Sequence, residues 1–234
     1  MNILAIDTAT SILSLALFCE GNTWSFEADA GLRHSELVMD GIDLLTAKAG
    51  IAPEGLQGIL CMDGPGSFTG LRIGFSVAKG LALSLGIPFA AVSTLQCMAK
   101  PHSAWPGLVM PAIDARKNAF FTALFSGEKR LCPDSDAEPD FIAQIIGENL
   151  NAGHCDFNKV LLAGPDAEKL YEVLQAQGGL AGVLALAPET KRGYARALIE
   201  IGQNTQIFQK DNGEWLFKGP QYIRKSDAEL NAGL

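Results

Sequence analysis

Two stretches of this sequence place side chains where they could do chemistry. The first is Asp7-Thr8-Ala9-Thr10-Ser11. A carboxylate at a strand end, followed by hydroxyls, can hold a metal–phosphate group while the turn's N–H groups face the anion. The same residues also suit a polar hairpin turn whose Asp and Thr bond to local backbone. The second stretch is GPGSFTGLRIG, residues 64–74. Between a strand and a helix, it would expose N–H groups to an anion, with Ser67 or Thr69 as helix cap. It has no GK[ST] and its spacing is GxGxxxG, so it is neither a P-loop nor the dinucleotide fingerprint. It reads equally as a tight turn that lets a helix dock closely on a sheet. A further strand-end carboxylate, Asp114, closes the run GLVMPAIDAR.

The remaining reactive residues are dispersed. His34, His102 and His154 form no HxxxH, HExxH or CxH pair, and GxSxG is absent. Metal-site and nucleophile chemistry needs clustered partners, so a peptidase reading is remote. His34, beside Ser35 and Glu36, reads as a helix-start capping residue.

These groups need a scaffold. ILAID, ILSLALFC and NTWSFEA read as three consecutive short strands. Arg33–Ala49 has helical period, with Leu37, Val38, Gly41, Leu44 and Leu45 as its apolar stripe. LQGILCM (56–62) is a continuous apolar run, as in a strand covered on both faces. A helix follows over about Thr69–Leu85, then a strand at 87–92. The pattern restarts with strands at 107–116 and 118–126. An acidic, Pro-containing loop at Cys132–Pro139 precedes a helix near Phe141–Leu150 and a strand at Val160–Ala163. A helix at Ala167–Gln177, a strand at 182–186 and a long helix over Tyr194–Gln209 complete it. The element order repeats, with no residue-level repeat, and the boundary falls in the turn-rich segment His102–Pro106.

The Thr69–Leu85 helix is apolar nearly all round. Leu71, Gly74, Phe75, Ala78, Leu81, Ala82 and Leu85 share one face, and Ile73, Ser76, Val77, Gly80 and Leu83 the other. Such a helix is covered on both sides. One face packs on the sheet, and the other requires the first helix or another subunit.

Composition narrows the class. The chain has 234 residues, 48% hydrophobic and 19% charged, with a net charge of −8. That excludes disorder and disfavours a free-standing nucleic-acid binder. Five widely spaced cysteines read as reduced thiols in a cytoplasmic protein. MNILAID has no positive leader and reads as no signal peptide. The 20 uncharged residues between Lys79 and Lys100 are broken by Gly86 and Pro88, which favours a helix–turn–strand unit over a membrane span. The second half carries 13 basic against 17 acidic residues, so its small basic clusters (Lys191, Arg192 and Arg196; Arg224 and Lys225) read as solvated ends.

ILAIDTAT, RHSELVM, GPGSFTGLRIG, PAIDARKNAFF and PQYIR together resemble the TsaB (YeaZ) family across nearly the whole chain. The resemblance implies an α/β, two-lobed ASKHA (actin/Hsp70/sugar-kinase-like) fold. Its lobes would be 1–105 and 106–234, with the helix at 194–209 packing back on the first. It implies a non-catalytic scaffold that helps form N6-threonylcarbamoyladenosine next to the anticodon in tRNA. The implied partners are the paralogous transferase TsaD, the ATPase TsaE and, without TsaD, a second copy, with tRNA touched only indirectly. Docking would use Leu37, Val38, Gly41, Leu45, Arg72, Ile73, Ser76, Val77, Lys79, Gly80 and Leu83. No cofactor is required, although Asp7, Thr8, Thr10 and Asp114 would line an eroded nucleotide cleft with room for weak ATP or ADP binding. The alternative is an ASKHA-type phosphotransferase or ATPase using Asp7 and Asp114.

Overall fold

The computed structural model describes residues 1–155, 157–188, 191–203, 208 and 217–224. The chain divides into two compact units, Met1–Cys97 with Gly193–Tyr222, and Met98–Arg192 with Ile223–Leu234.

In the first unit, β1 (Ile3–Asp7), β2 (Ile12–Cys19), β3 (Asn22–Asp29), β4 (Gly58–Gly64) and β5 (Phe89–Ser93) form one sheet in the order β3-β2-β1-β4-β5. The β1–β2 and β2–β3 pairs are antiparallel, whereas β4 runs parallel to β1 and β5. Helices α1 (His34–Ala49) and α2 (Phe68–Leu85) supply the parallel crossovers. Both pack on one face of the sheet, α1 over β2 and β3 and α2 over β4, β1 and β5, in a shared core with Leu4, Ile6, Leu15 and Ile59. The opposite face receives α6 (Ala195–Gly202), where a Cβ on Gly202 would stand 2.1 Å from the Leu60 side chain. Cover on both faces explains why β1 and β4 read as unbroken apolar runs. The helix expected over Tyr194–Gln209 is described as α6, and positions 204–207 and 209 lie outside the described residues.

The second unit holds β6 (Leu108–Arg116), β7 (Ala119–Ser126), β8 (Lys129–Ala137), β9 (Val160–Ala163) and β10 (Leu184–Leu186), in the order β10-β9-β6-β7-β8. Taken from β6, this is the first sheet's topology again. Helices α4 (Pro139–Asn151) and α5 (Ala167–Ala176) are its crossovers, and α3 (Thr94–Ala99) joins the two halves of the sequence. The architecture is the two-lobed α/β fold expected. Among the described residues no helix is long and apolar enough to cross a membrane, and all five cysteines are free thiols.

Two expectations are corrected. The segment Cys132–Pro139 is not a loop, since its first six residues complete β8. Pro133 is exposed on this edge strand, where a missing N–H costs no ladder bond, and the pairing with β7 is locally irregular there. A residue-level echo also exists. The strand-end Asp7 and Asp114 hold equivalent positions, and each accepts the N–H two residues on, at 3.0 and 2.8 Å. The fourth strands give way to Gly64-Pro65 and Gly164-Pro165, with both glycines at positive φ, +114° and +91°. A Cβ at Gly164 would also stand 2.8 Å from the Ala112 carbonyl oxygen.

Left-handed strain and this backbone clash should together cost Gly164→Ala about 2–4 kcal/mol in urea unfolding. A loss under about 0.5 kcal/mol, the usual range for an exposed position, contradicts this account of the turn.

Candidate functional site

The two candidate motifs form one joint. The Thr8 hydroxyl donates to the Gly70 carbonyl at 2.7 Å, and the Ser67 N–H donates to the Ala9 carbonyl at 2.7 Å. Ser67 is the N-cap of α2, and its hydroxyl accepts the Gly70 N–H at 3.2 Å. The glycines make this approach possible. A Cβ at Gly70 would stand 2.0 Å from the Thr8 carbonyl oxygen, and one at Gly74 would stand 2.4 Å from the Thr8 hydroxyl. GPGSFTGLRIG is thus spent on docking α2 against the β1–β2 turn, the packing alternative read from its spacing. Thr10 closes the same turn by accepting the Ile12 N–H at 3.2 Å.

Asp7 is wholly buried, and its carboxylate meets two backbone donors. Oδ1 accepts the Ala9 N–H, and Oδ2 accepts the Tyr194 N–H at 2.9 Å. Tyr194 is the N-cap of α6. On either side, the Gly193 N–H reaches Glu27 at 3.3 Å and the Ala195 N–H reaches Ser14 at 3.4 Å. Three neighbouring strands therefore supply oxygens to three successive N–H groups, of which those of Tyr194 and Ala195 are ones an isolated helix start leaves bare. Two of those oxygens are anionic, which the positive end of the helix favours. Burial pushes the Asp7 carboxyl up to about 6, against the pull of its two N–H donors.

His34 does not cap α1. Arg33 is the N-cap, and His34 is buried beneath the β1–β2 turn, where desolvation lowers its pKa and favours the neutral ring.

Asp114 sits in the second unit at the tip of the β6–β7 hairpin. It accepts the Arg116 N–H and pairs with Lys169 at 2.8 Å, while its own N–H donates to Asp166 at 2.8 Å. Burial raises its pKa, but Lys169 and the Arg116 N–H together outweigh that and hold it below the usual carboxylate range. Arg224 is no solvated tail. Its guanidinium grips Asp136 through two nitrogens and also reaches the Ala115 carbonyl. Lys225 lies outside the described residues. Among the described residues no three His, Cys, Asp or Glu side chains converge as a metal site.

Besides a more polar groove of about 540 Å³ bordered by Phe18, Thr23 and Arg196, the first unit has one of about 510 Å³ between α1 and α2. Ser35, Met39, Phe68, Thr69, Arg72, Ile73, Ser76 and Val77 line it, and Val38 lies at its base. Here the expected docking set divides. Val38, Gly41 and Leu45 belong to the unit's own core. Val38 is 1% exposed and Leu45 3%, and a Cβ on Gly41 would stand 2.6 Å from Leu15. Leu37, Ile73 and Val77 are half-buried against that core. Ser76, Gly80 and Leu83 face outward, as do Met39 and Leu44, which were not among the expected docking residues.

Arg72 and Lys79 are engaged by the chain itself. The Arg72 guanidinium stacks 3.8 Å over the Phe68 ring, and its Nε donates to the Tyr222 hydroxyl at 3.1 Å. Tyr222 packs on Phe68 with ring centroids 4.6 Å apart, and Lys79 donates to the Lys218 carbonyl. The segment 217–222 therefore flanks α2. The aromatic in PQYIR is the sequence signal for this contact, legible only once its partner Phe68 is placed.

The joint makes two measurable predictions. Gly70→Ala must force Thr8 and α2 apart and should lower stability by about 3 kcal/mol, read by urea unfolding. Cost-free tolerance would mean that the close approach is dispensable. The Asp7 carboxyl is harder to ionise folded than unfolded, so its contribution is fully present below about pH 4 and is lost as pH rises through about 6. The shift corresponds to about 3 kcal/mol. The stability of the wild type relative to Asp7→Asn should therefore fall by up to that amount between pH 4 and 7.5. A flat difference would show that Asp7 ionises normally.

Comparison with known proteins sets this geometry in a family. Residues 28–231 match the family model described as "TsaD: tRNA N6-adenosine threonylcarbamoyltransferase". The chain is 41% identical over 127 residues to the tRNA threonylcarbamoyladenosine biosynthesis protein TsaB of Bacillus subtilis (strain 168), covering 53% of this chain and 55% of that protein. It is 35% identical over 155 residues to the protein of that name from Escherichia coli (strain K12), covering 64% and 66%. The aligned regions thus span about half to two thirds of these relatives. YeaZ from Pseudomonas aeruginosa superposes with a TM-score of 0.70 at 25% identity, over 88% of this chain and 92% of that one. The chain therefore belongs to the family of the tRNA N6-adenosine threonylcarbamoyltransferase TsaD and, within it, to the TsaB (YeaZ) proteins.

Proposed function

We propose that this chain takes part in forming N6-threonylcarbamoyladenosine in tRNA as a non-catalytic subunit. It docks on the transferase TsaD through the α1–α2 groove and helps recruit the ATPase TsaE. One contrast carries the reading. The motifs that could have held a phosphate are closed on themselves, with Thr8 on Gly70, Ala9 on Ser67 and Asp7 on Ala9 and Tyr194. Meanwhile α1 and α2 leave an apolar groove open, and Met39, Leu44 and Leu83 beside it are 43–58% exposed. Apolar surface that a fold leaves uncovered marks an interaction site.

The docking set is accordingly Met39, Ile73, Ser76, Val77, Gly80 and Leu83, with Phe68 and the Arg72 stack at one end. Gly74 and Phe75 turn inward from the same helix and support it. An apolar helix pair of the partner suits this groove, as ridges of one helix pack into the grooves of another.

Gly80 offers a clean probe, because a Cβ there meets nothing within 4 Å. Gly80→Glu and Ser76→Arg should keep the circular dichroism spectrum and reduce capture of purified TsaD by about tenfold or more, since each places a charge in an apolar contact. Undiminished capture by both folded variants rules out the groove as the docking site.

A further inference from the structure

The segment 217–222 is built onto α2, yet residues 217–219, 221 and 222 remain exposed. It runs antiparallel to the helix. Tyr222 lies at the level of Phe68 and Arg72, and Lys218 at the level of Lys79. Between them the Gln221 N–H donates to the Asp63 carbonyl at 2.6 Å. Gly64 allows this approach, since a Cβ there would stand 2.6 Å from the Gln221 carbonyl oxygen. Continued by one residue, the segment carries Phe217 toward the Leu83 end of α2. Phe217 is 92% exposed and Leu83 58%. Around the helix Leu83 falls between Ser76 and Arg72, on the flank nearer this segment than α1.

We infer that segment 217–222 is the second half of the docking surface, so that the partner straddles α2. The inference rests on the function proposed above. One apolar helix of the partner enters the α1–α2 groove. A second helix, apolar on one side and bearing carboxylates, lies over the seam between α2 and the segment, against Leu83 and Phe217. Two observations select this occupant. The first is continuity with the groove. Ser76 and Gly80 form the crest of α2 between the two flanks, and their small size lets a helix pair about 8–10 Å apart settle on both sides. The second is charge. Arg72, Lys79 and Lys218 stand along the seam, and neither α2 nor residues 217–222 contains an acid. Three cations without an acid, in a chain of net charge −8, complement a partner surface that carries carboxylates. Phe217 supplies the anchor, an aromatic side chain of the kind that dominates an interface once buried.

Purified TsaD titrated against the immobilised full chain reads the contact. Phe217→Ser changes a side chain that the fold leaves exposed, so it should keep the circular dichroism spectrum and weaken TsaD binding by about tenfold or more. Lys79→Gln removes a charge but keeps a donor for the Lys218 carbonyl. It should weaken binding severalfold and flatten its dependence on salt. With p-benzoylphenylalanine in place of Phe217, irradiation in a mixture with TsaD, TsaE and tRNA should link the chain to an acid-bearing helix of TsaD, identified by peptide mass. Gly80→Glu separates this inference from the reading it rests on. If Gly80→Glu loses TsaD while Phe217→Ser binds as the wild type does, the groove stands and its second half falls. Undiminished binding by Gly80→Glu overturns the groove reading and this inference with it. An unchanged salt dependence in Lys79→Gln, or a link from position 217 to tRNA or TsaE instead of TsaD, overturns the inference alone.

Discussion

The first unit is organised by the need to satisfy buried backbone groups at two helix starts. The β1–β2 turn does this in two directions. Through Thr8 and Ala9 it receives α2, and through Asp7 it holds the N-cap N–H of α6. The α6 start and the Thr8–Gly70 contact are covered by protein, where an unpaired N–H or C=O costs the full desolvation of the group. The geometry follows from that constraint. Glycines must stand at 70 and 74 because α2 comes within contact of the turn's own carbonyl and hydroxyl. A carboxylate must stand at 7 because one side chain has to accept both a turn N–H and a helix N–H. Its elevated pKa is the electrostatic consequence of meeting that need deep in the protein.

This constraint separates the chain's motifs from the chemistry they resemble. An aspartate at a strand end, hydroxyls behind it and a glycine-rich helix start are the components of an anion site. Here Asp7, Thr8, Ala9, Thr10, Ser67 and Gly70 are bonded to one another or to neighbouring backbone of the unit, so these residues work as a joint. Duplication makes the comparison internal. At the matching position of the second unit, Asp114 makes the same turn bond but gives its other oxygen to the partly exposed Lys169. The same strand-end residue thus serves a buried helix cap in one unit and a surface ion pair in the other.

Much of the fold was legible because it rests on local signals. Apolar runs located β1, β2, β4 and β9, and the Gly-rich turn marked the start of α2. β8 was hidden because Pro133 and its acidic neighbours carry turn chemistry, and only pairing with β7 makes them a strand. The repeat was hidden because it survives mainly as a strand-end aspartate and a Gly-Pro, recognisable only once the sheets align them. The docking surface was half legible. The period of α1 showed an apolar stripe, but not that β2 and β3 already occupy it. Gly41 was the available clue, since a glycine inside a helix implies a close neighbour, here Leu15 and Phe26. The roles of Arg72 and Tyr222 depend on residues 150 positions apart, beyond any local pattern.

The central claim is that Asp7 serves structure while the outer face of α2 serves function. Its most direct test is the formation of N6-threonylcarbamoyladenosine in a reconstituted mixture of TsaD, TsaE, tRNA and threonylcarbamoyl donor with this chain. The account predicts near wild-type formation with folded Asp7→Asn and a severe loss with folded Gly80→Glu. Abolished formation with an Asp7→Asn chain that still folds and binds TsaD, alongside full activity with Gly80→Glu, would contradict it.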